Sequence, residues 1–446
     1  YILYFLFHSP SNVRIILKLN GYPINQAIKT LKKVKFNSHE EALAYQEEMK
    51  WSIFQHHCEN NTHYINFIKQ KVITNWFDIP ILRKTDVQAP LSGRISKGYS
   101  AKNSHVHNTS GSTGTPFYFA KDKFCHALSW ALIYNRFNWH GIKNGNDLQA
   151  RFYGISKKFT KRIKEKLKDF FSSRIRFSVF DLSDHVLASY LNTFKKKPFV
   201  YVNGYTSSLV MMAKYCLANN TTVKKVCPSL KLVFTTSEVC DDIDRKTLES
   251  GFGVPVINEY GAAELDLIGF EDADGDWLVN YETLFVEILD DNDKPVLPGE
   301  EGKVVITSLY NKAMPFIRYE IGDRAILKKD MKGAYQILES VKGRTNDIAI
   351  LPSGKRAAGL TFYYISKQLL ENGGFMKEFV IRQKTISHFH YEYVANREIN
   401  EIEKKQIFQA MDAYLEKGLL ITFEKKNIIE RSKAGKFKHF FSEIKS

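Results

Sequence analysis

The chain has 446 residues, of which 44% are hydrophobic and 25% are charged. These fractions are usual for soluble globular proteins and exclude disordered, collagen-like and low-complexity classes. The five cysteines form no CxxC pair, which excludes a disulfide scaffold and favours a reducing compartment. The 64 basic and 48 acidic residues give a net charge of +16. That charge fits nucleic acid, anionic lipid, nucleotide or acidic polymer as a partner, and equally a lysine-rich solvated surface.

No segment of the sequence reaches the roughly 20 apolar residues that a membrane span needs. The apolar start at residues 2–7 is short, and it has neither a basic leader nor a small-residue cleavage site. The sequence opens on Tyr1 instead of Met, so a segment ahead of it is left open. We therefore expect a cytoplasmic protein, with association to a membrane left open.

The predicted elements begin with a helical segment and become richer in strands toward the carboxyl end. Apolar residues recur at helical spacing over residues 26–75, which predicts a helical amino-terminal extension over residues 1–75. The elements predicted next are a helix at 121–140, a helix-rich segment at 181–219 and buried strands at 230–236 and 254–257. This alternation of strands and helices predicts an α/β core. From residue 278 onward, strands separated by turn residues dominate.

The character of the sequence changes again near residue 347. Residues 1–346 are predicted to form a large domain of mixed sheets and helices. Residues 347–446 have room for one small α+β domain, and its end, from Lys425 on, is strongly basic. The predicted fold class is therefore α/β with a large amino-terminal domain and a small carboxy-terminal one.

A glycine- and serine-rich segment at residues 107–116 carries the clearest functional pattern. Its sequence is HNTSGSTGTP. Small residues let backbone N–H groups approach an anion closely, and the hydroxyl groups add donors, so such a loop can hold phosphates. The segment lacks the spacing and the lysine of a Walker A loop. A polar turn between two elements is the alternative interpretation.

This segment is the first of five that occur in the order typical of the adenylate-forming (AMP-binding) enzyme superfamily. Residues 110–116 resemble the phosphate loop of that superfamily. The other four segments are EYGAAE at 259–264, which resembles its YGxTE motif, RYEIGD at 318–323, which resembles its RYxTGD motif, GRTND at 343–347, which resembles its GRxxD motif, and RSKAGK at 431–436, which resembles the segment with its catalytic lysine. Five such segments in order are far more specific than any one of them.

Within this superfamily the sequence is most similar to the phenylacetate–CoA ligase group, and there to CapK-like proteins linked to capsular polysaccharide biosynthesis. The segments DIPILRK at 78–84, FDLS at 180–183 and GYTS at 204–207 match their DIPILTK, FDLS and GYPS. The resemblance covers nearly the whole chain after about residue 75. It implies a large adenylation domain and a small mobile domain at the carboxyl end.

The resemblance implies a nucleotide site. The residues that would hold the β- and γ-phosphates are Thr109, Ser110, Gly111, Ser112, Thr113 and Gly114. The residues implied next to the nucleotide are Glu259, Tyr260, Gly261 and Ala262, with Tyr260 stacking on adenine. Glu264 would bind Mg²⁺, which takes carboxylate and phosphate oxygens, and Asp323 would accept hydrogen bonds from the ribose hydroxyls. A purely structural role is the alternative for each of these residues.

The catalytic residues implied by the resemblance are Lys436, Arg344 and Glu264. Attack of a carboxylate on the α-phosphate builds negative charge, so the site needs fixed donors and cations. Lys436 would bridge carboxylate and phosphate oxygens, although a solvated basic tail is the alternative. Arg344 would contact the ribose or the α-phosphate. Asp347 matches the hinge about which the small domain of relatives rotates.

Three local features depart from the pattern or compete with it. Residues 236–238 read TSE where many relatives have Gly-Gly-Glu, so the wall of the acyl pocket is expected to differ. Residues 270–275 contain no Cys or His where phenylacetate–CoA ligases often carry zinc, so we expect no zinc. The run of His56, His57 and Cys58 is not expected to bind metal, because adjacent residues on a helix point apart. No segment identifies a site for the CoA 3′-phosphate, so CoA stays open.

An amphipathic basic helix is predicted over residues 157–176. Its apolar positions at helical spacing are Phe159, Ile163, Leu167 and Phe170. Such a helix can lie on an anionic membrane. The commoner arrangement places its apolar stripe on the protein core.

Together these features predict an ATP- and Mg²⁺-dependent ligase that converts a small carboxylic acid into acyl-AMP and pyrophosphate. The acyl group would pass to CoA, or to an amine or hydroxyl of a sugar or its precursor, in capsular or cell-surface polysaccharide biosynthesis. One alternative is an inactive protein of the same fold that binds an acidic polymer or nucleic acid. Another is a P-loop kinase or ATPase, which would release ADP. No zinc-finger, RNP or helix-turn-helix pattern occurs, so nucleic acid is not expected as a partner.

Overall fold

The structure is a computed structural model that divides into two compact units. The residues that it describes are 12–69, 73–87, 89–108, 118–153, 166, 168–179, 182, 184–342, 348–354, 356–358, 362, 365–366, 376–429 and 440–444. Unit 1 comprises Tyr1–Ile321 and Ala325–Ser340, and unit 2 comprises Gly322–Arg324 and Val341–Ser446. Residues 343–347 lie outside the described residues, so the boundary after residue 346 stays a prediction.

Among the described residues, four helices occupy the amino-terminal part of unit 1. They are α1 (Asn12–Leu19), α2 (Ile24–Lys33), α3 (His39–Asn60) and α4 (Thr62–Ile68). Helix α3 begins where the Ser38 hydroxyl accepts a hydrogen bond from the Glu41 amide, and α4 begins where the Asn61 side chain accepts one from the Tyr64 amide. Such caps satisfy amides that have no partner inside the helix.

An eleven-stranded sheet forms the centre of unit 1. The strands of the unit, in chain order, are β1 (Ser104–Asn108), β2 (Tyr118–Asp122), β3 (Gln149–Tyr153), β4 (Arg174–Ser178), β5 (Tyr201–Tyr205), β6 (Leu232–Thr236), β7 (Val256–Ala262), β8 (Asp266–Glu271), β9 (Trp277–Val279), β10 (Leu284–Leu289), β11 (Glu301–Ser308), β12 (Tyr319–Lys332) and β13 (Tyr335–Lys342). Strands β1 and β2 form a separate antiparallel pair, and the order in the large sheet is β10-β11-β12-β13-β9-β8-β7-β6-β5-β3-β4. Strands β4, β3, β5, β6 and β7 are parallel, whereas β8 runs antiparallel to β7.

Helices cover both faces of the parallel strands. The other helices of unit 1 with described bounds are α5 (Leu91–Arg94), α6 (Lys123–Trp139), α7 (Asp184–Lys196), α8 (Thr206–Ala218), α9 (Val223–Val226) and α10 (Asp242–Phe252), with a 3₁₀ turn at Trp76–Asp78. One core contains Phe152 and Val233 from the strands and Leu209 from α8. The other contains Phe234 and Ile257 from the strands, which pack with residues of α1, α2 and α6. Burial on both faces is the reason that these strands read as apolar runs.

Unit 2 is a small α+β domain. Its elements are β14 (Ile348–Ile350), β15 (Arg356–Ala358), β16 (Met376–Thr385), β17 (His388–Ala395), α11 (Glu401–Tyr414), β18 (Leu420–Lys425) and β19 (Phe440–Ser442). The last four strands form a sheet in the order β18-β17-β16-β19. Helix α11 begins with a capping box between Asn400 and Glu403 and buries Ile407 and Met411 against this sheet.

The predicted α/β fold class is confirmed. The buried strands expected at 230–236 and 254–257 correspond to β6 and β7. Strand β7 runs further than the sequence indicated and includes the first four residues of the EYGAAE segment. Among the helices that the structure describes, none has the length and apolar character needed to cross a membrane.

Candidate adenylate-forming site

Two of the five motif segments meet around a buried carboxylate. Glu264 lies in the turn between β7 and β8, and Tyr319 begins β12. The Tyr319 hydroxyl donates a hydrogen bond to Glu264 Oε1 at 3.1 Å, although the two residues are 55 positions apart in the sequence. Both side chains are buried. Since a buried carboxylate is costly unless it is paired or hydrogen-bonded, this contact ties the EYGAAE and RYEIGD segments together.

An ion pair supports the turn that carries Glu264. Lys121 Nζ lies 2.5 Å from Asp266 Oδ2 and donates to the carbonyl oxygen of Ala263 at 3.1 Å. The Ser129 hydroxyl also donates to Asp266 Oδ2. Burial raises the pKa of Asp266, but the charge of Lys121 and these hydrogen bonds outweigh it, so that the pKa lies below its usual value.

The same turn explains the glycine of the motif. A Cβ atom on Gly261 would lie 2.5 Å from the carbonyl oxygen of Asp266, so any side chain at Gly261 would displace the turn. A cavity of about 10 Å³ lies beside the turn and is lined by residues that include Lys121, Glu264 and Asp266. This volume suffices for about one water molecule.

The arginine of the RYEIGD segment has a structural role. Arg318 is buried, and its Nη1 donates to the carbonyl oxygens of Phe77 at 3.0 Å and Ile79 at 2.7 Å. Its Nε lies 3.3 Å from Glu287 Oε1, and the Leu82 amide donates to its carbonyl oxygen. Burial raises the pKa of Glu287, while the charge of Arg318 opposes that rise. Arg318 therefore anchors the DIPILRK segment that also contributed to the resemblance.

The other described residues of the predicted nucleotide site lie on β7 and β12. Tyr260 is buried, with its ring edge-on to Trp277 at a centroid distance of 6.1 Å, and Ala262 ends β7. The Glu259 side chain accepts a hydrogen bond from the Thr236 hydroxyl at 3.0 Å, and burial raises the pKa of Glu259. Asp323 lies in β12 and is half-buried. Adenine stacking by Tyr260 and ribose binding by Asp323 stay predictions.

Several predicted site residues lie outside the described residues. They are Thr109, Ser110, Gly111, Ser112, Thr113, Gly114, Arg344, Asp347 and Lys436. Asn108 of β1 and Tyr118 of β2 are paired directly, so the predicted phosphate loop connects two adjacent antiparallel strands. Half of the predicted basic helix at 157–176, namely residues 157–165 and 167, is also outside the described residues. Its predicted end is wrong, because residues from Arg174 onward form β4 and pair with β3. Of its apolar stripe, Phe170 is described, and it is 58% exposed.

Two adjacent histidines of α3, His56 and His57, are occupied by protein contacts. The two ring nitrogens of His57 lie 3.1 Å from the Ser96 hydroxyl and 2.8 Å from the Asn311 carbonyl oxygen, and His56 contacts the carbonyl oxygen of Lys312. Within the part of the chain that the structure describes, one group could offer three metal ligands, namely His390, Glu392 and Glu424. Arg382 and Lys426 already pair with these two carboxylates.

Sequence reasoning missed the polar residues at the carboxyl ends of β3 and β5. Arg151, Tyr153 and Tyr205 lie there, on the same side of the sheet as Thr236 and Glu259. The alternation of polar and apolar residues in the sequence QARFY of β3 was the available signal. It was overlooked because no motif marks these residues.

The chain is similar in sequence to two groups of curated proteins. Protein CapK of Staphylococcus aureus is 24% identical over 289 residues, which are 63% of this chain and 61% of CapK. The phenylacetate-coenzyme A ligase of Aromatoleum evansii is 30% identical over 129 residues, which are 28% of this chain and 29% of that ligase. The matched segments thus span less than two thirds of the length of these relatives. No protein-family model matches the chain.

Solved structures of ligases share the fold over most of the chain. A 2-hydroxyisobutyryl-CoA ligase in complex with 2-HIB-AMP superposes with a TM-score of 0.69 and 15% identity, and the match covers 92% of each chain. MatB from Rhodopseudomonas palustris with bound ATP superposes with a TM-score of 0.51 and 13% identity, over 75% of this chain and 66% of MatB. Together with the sequence matches, these structures confirm the resemblance predicted from the five segments.

Proposed function

We propose that this chain, which has the fold of adenylate-forming ligases and is related in sequence to CapK and phenylacetate–CoA ligases, activates a carboxylic acid with ATP. A carboxylate oxygen of the acid attacks the α-phosphorus of ATP, and the bond between that phosphorus and the bridging oxygen breaks. The products are acyl-AMP and pyrophosphate. The mixed anhydride has a good leaving group, which makes the acyl carbon open to a second nucleophile.

The observation that carries this proposal is the contact between Tyr319 and Glu264. It brings two motif segments of the superfamily together around one buried carboxylate. A protein that had kept the fold and lost the chemistry would not need to preserve a buried carboxylate with this partner. The inactive polymer-binding alternative therefore has less support.

The residues near Glu264 suit a bound Mg²⁺ ion. Tyr319 occupies one side of the carboxylate, and carboxylate oxygens are the ligands that Mg²⁺ takes together with substrate phosphates. The ion would neutralise charge on the phosphates during displacement. In this proposal the loop from Thr109 to Gly114 holds the phosphates, Asp323 binds the ribose, and Lys436 with Arg344 stabilises charge at the α-phosphate.

The second half-reaction has two candidate acceptors. The relatives named as phenylacetate-coenzyme A ligases and the 2-hydroxyisobutyryl-CoA ligase support CoA, whose thiolate would attack the acyl carbon and release AMP. The similarity to CapK supports an amine or hydroxyl of a sugar instead, in capsular or cell-surface polysaccharide biosynthesis. In either case Asp347 would serve as the hinge of the small domain. If the acceptor is such a sugar, the basic segment ahead of β4 would also contact an anionic membrane.

Carboxylate-dependent exchange of pyrophosphate into ATP tests the proposal. The panel would contain aromatic, fatty, amino and sugar acids, and the control would omit the acid. Exchange with one class of acid supports adenylation, and addition of CoA or of an amine then identifies the acceptor by the product formed. Absence of exchange with every acid, together with absence of ATP binding, would contradict the proposal and favour a binding protein.

A further inference from the structure

One face of the parallel strands is apolar near the amino ends of the strands and polar near their carboxyl ends. Near the amino ends of the strands this face presents Tyr201, Phe234 and Ile257, which are buried with α6. Near the carboxyl ends the same face presents polar residues, because side chains alternate with a period of two. We call these residues the polar row, and its members are Arg151, Tyr153, Asn203, Tyr205, Thr236 and Glu259.

The strand register places the polar row across four adjacent strands. Arg151 of β3 pairs with Asn203 of β5, and Tyr205 of β5 pairs with Thr236 of β6. Thr236 in turn pairs with Glu259 of β7. Ligands of open α/β sheets bind at the carboxyl ends of parallel strands. The row starts next to Tyr260 and extends away from Glu264 toward the β4 edge.

Contacts within the row connect its two charged residues. The Arg151 guanidinium carbon lies 4.1 Å from the centre of the Tyr153 ring, and the Tyr153 and Tyr205 rings are 4.5 Å apart. At the other end Thr236 holds the Glu259 carboxylate at 3.0 Å. The row thus offers a cation and an anion, with hydroxyl groups between them.

One atom of the row lacks the partner that its position demands. Arg151 Nε is buried and has no hydrogen-bond partner among the described residues. A buried charged donor without an acceptor loses its hydrogen bonds to water and gains none in exchange, which destabilises the empty site. The two neighbouring arginines of β4 differ in this respect, because Arg174 and Arg176 both pair with Asp169. Arg151 is therefore poised to receive an acceptor from a ligand.

We propose that the polar row binds the part of the substrate acid that lies beyond its carboxylate, and that this acid carries hydroxyl groups. The inference rests on the proposed function. A hydroxyl group can accept from Arg151 and donate to Glu259, whereas a phenyl or alkyl group would leave Arg151 Nε without an acceptor. The row holds one positive and one negative charge. Uncharged hydroxyl groups of the substrate suit both charges, whereas a second carboxylate on the substrate would be repelled by Glu259. The Glu259 side chain then belongs to the acid site, and its backbone is left for the predicted nucleotide contact.

The polar row should discriminate strongly between a hydroxylated acid and the same acid without its hydroxyl groups. A site built to hydrogen-bond a substrate hydroxyl rejects an analogue without it by roughly 10⁴-fold, because its own polar groups would stay unpaired. An apolar pocket distinguishes a hydroxylated acid from its parent by only about 10²-fold. The comparison of matched acids therefore separates the two kinds of pocket.

The first experiment compares acids in pairs that share a skeleton. The pairs are gluconate with hexanoate, glucuronate with tetrahydropyran-2-carboxylate, and 3-hydroxybutyrate with butyrate, and phenylacetate is included as the aromatic acid. Pyrophosphate exchange into ATP gives kcat/KM for each acid. We expect at least one hydroxylated acid to exceed its parent by 10³-fold or more. If hexanoate, butyrate or phenylacetate is the best substrate, the inference is wrong although the proposed function stands.

The second experiment changes the row itself. Arg151→Met and Glu259→Gln should each raise the KM of the hydroxylated acid about 10²-fold, and Arg151→Met should leave the KM of ATP unchanged. Thr236→Val, which removes only the hydroxyl that holds Glu259, should raise it about 10-fold. Arg174→Met is the matched control, since Arg174 already pairs with Asp169, and its KM values should equal those of the parent. Equal KM values for the acid in Arg151→Met and the parent would overturn the inference.

A binding measurement separates failure of the inference from failure of the proposed function. Calorimetry with the unreactive α,β-methylene analogue of ATP reports binding of the same acids without chemistry. Binding of a hydroxylated acid that Arg151→Met abolishes, in a protein without exchange activity, supports the row and contradicts the ligase. Exchange with an apolar acid contradicts the row and supports the ligase. Neither binding nor exchange with any acid overturns both.

Discussion

Two buried arginines near the large sheet have different partners, one beside its antiparallel strands and one on its parallel strands. Arg136 of α6 donates from Nη2 at 2.6 Å to both oxygens of Glu282, which lies between the antiparallel strands β9 and β10. Its guanidinium lies 4.2 Å from the centre of the Trp139 ring. On the parallel side Arg151 rests on Tyr153, with its Nε lacking a hydrogen-bond partner among the described residues. The difference indicates that the first arginine stabilises the fold and the second awaits a ligand.

Removal of a paired charge should cause the largest loss of stability. Arg136→Met would leave Glu282 buried without its cation, and breaking one partner of such a pair costs about 3–5 kcal/mol. Urea unfolding at neutral pH measures the change. The variant Arg151→Met is the matched control and should lose far less, because no carboxylate is left without a direct partner. Equal losses in the two variants would contradict the comparison.

Loss of the proposed catalytic lysine should affect rate and leave stability unchanged. Lys436→Ala removes one donor that stabilises transition-state charge, so exchange should fall on the order of 10²-fold or more. ATP binding should largely survive, since the main nucleotide contacts are proposed on the large domain. Exchange at the parental rate would show that the role carried over to Lys436 is wrong. The urea midpoint serves as the check that the variant is folded.

The buried side chain of His57 should make the free energy of unfolding depend on pH. Burial lowers the pKa of His57 to about 3, whereas the unfolded chain has the usual value near 6.5. Between these values the unfolded state binds one more proton, so the stabilisation is present above pH 6.5 and is lost as the pH falls. His57→Asn should therefore flatten the pH dependence of unfolding by one proton, or about 1.4 kcal/mol per pH unit.

The slope of the unfolding free energy between pH 6 and pH 4.5 measures this difference. An unchanged slope in His57→Asn would mean that His57 becomes protonated in the folded protein within that range. Its hydrogen bonds to Ser96 and Asn311 would then have to break or change donor.

The smallest expected effect concerns the contact between the two motif segments. Tyr319→Phe removes one hydrogen bond to Glu264, worth about 1 kcal/mol of unfolding free energy, and should slow exchange several-fold because Glu264 loses its orientation. Tyr310→Phe is the matched control, because Tyr310 bonds to Tyr45 instead. Its exchange rate should equal that of the parent. Slower exchange in Tyr310→Phe than in Tyr319→Phe would contradict the proposed importance of the contact.

The sequence predicted the strands and the order of the motifs better than the contacts among them. Strands such as β6 and β10 are buried on both faces and therefore read as apolar runs, which local pattern suffices to identify. The contact of Tyr319 with Glu264 spans 55 positions, and no local pattern encodes it. Arg318 looked like part of the nucleotide motif, yet its partners are the backbone of Phe77 and Ile79.

The polar row could not be predicted from the sequence either, because no local pattern encodes it. Each strand contributes one or two of its residues, and only the register of four strands brings them together. At Ser237, by contrast, the sequence alone signals a structural feature, namely the local conformation of the backbone. It stands where the resemblance predicts glycine and adopts a positive φ of 68°, a conformation that favours glycine. The departure seen in the sequence is therefore accommodated by backbone strain beside the proposed acid site.

The most direct test of the central claim is the identity of the phosphorus that reacts. The protein would be incubated with ATP labelled at the α-phosphorus, Mg²⁺ and the acid that gives the fastest exchange, and the products would be separated without an acceptor and then with CoA or an amine. We predict labelled acyl-AMP in the first case and labelled AMP in the second, with unlabelled pyrophosphate in both. Labelled ADP with release of inorganic phosphate would mean attack at the γ-phosphorus and would contradict the account.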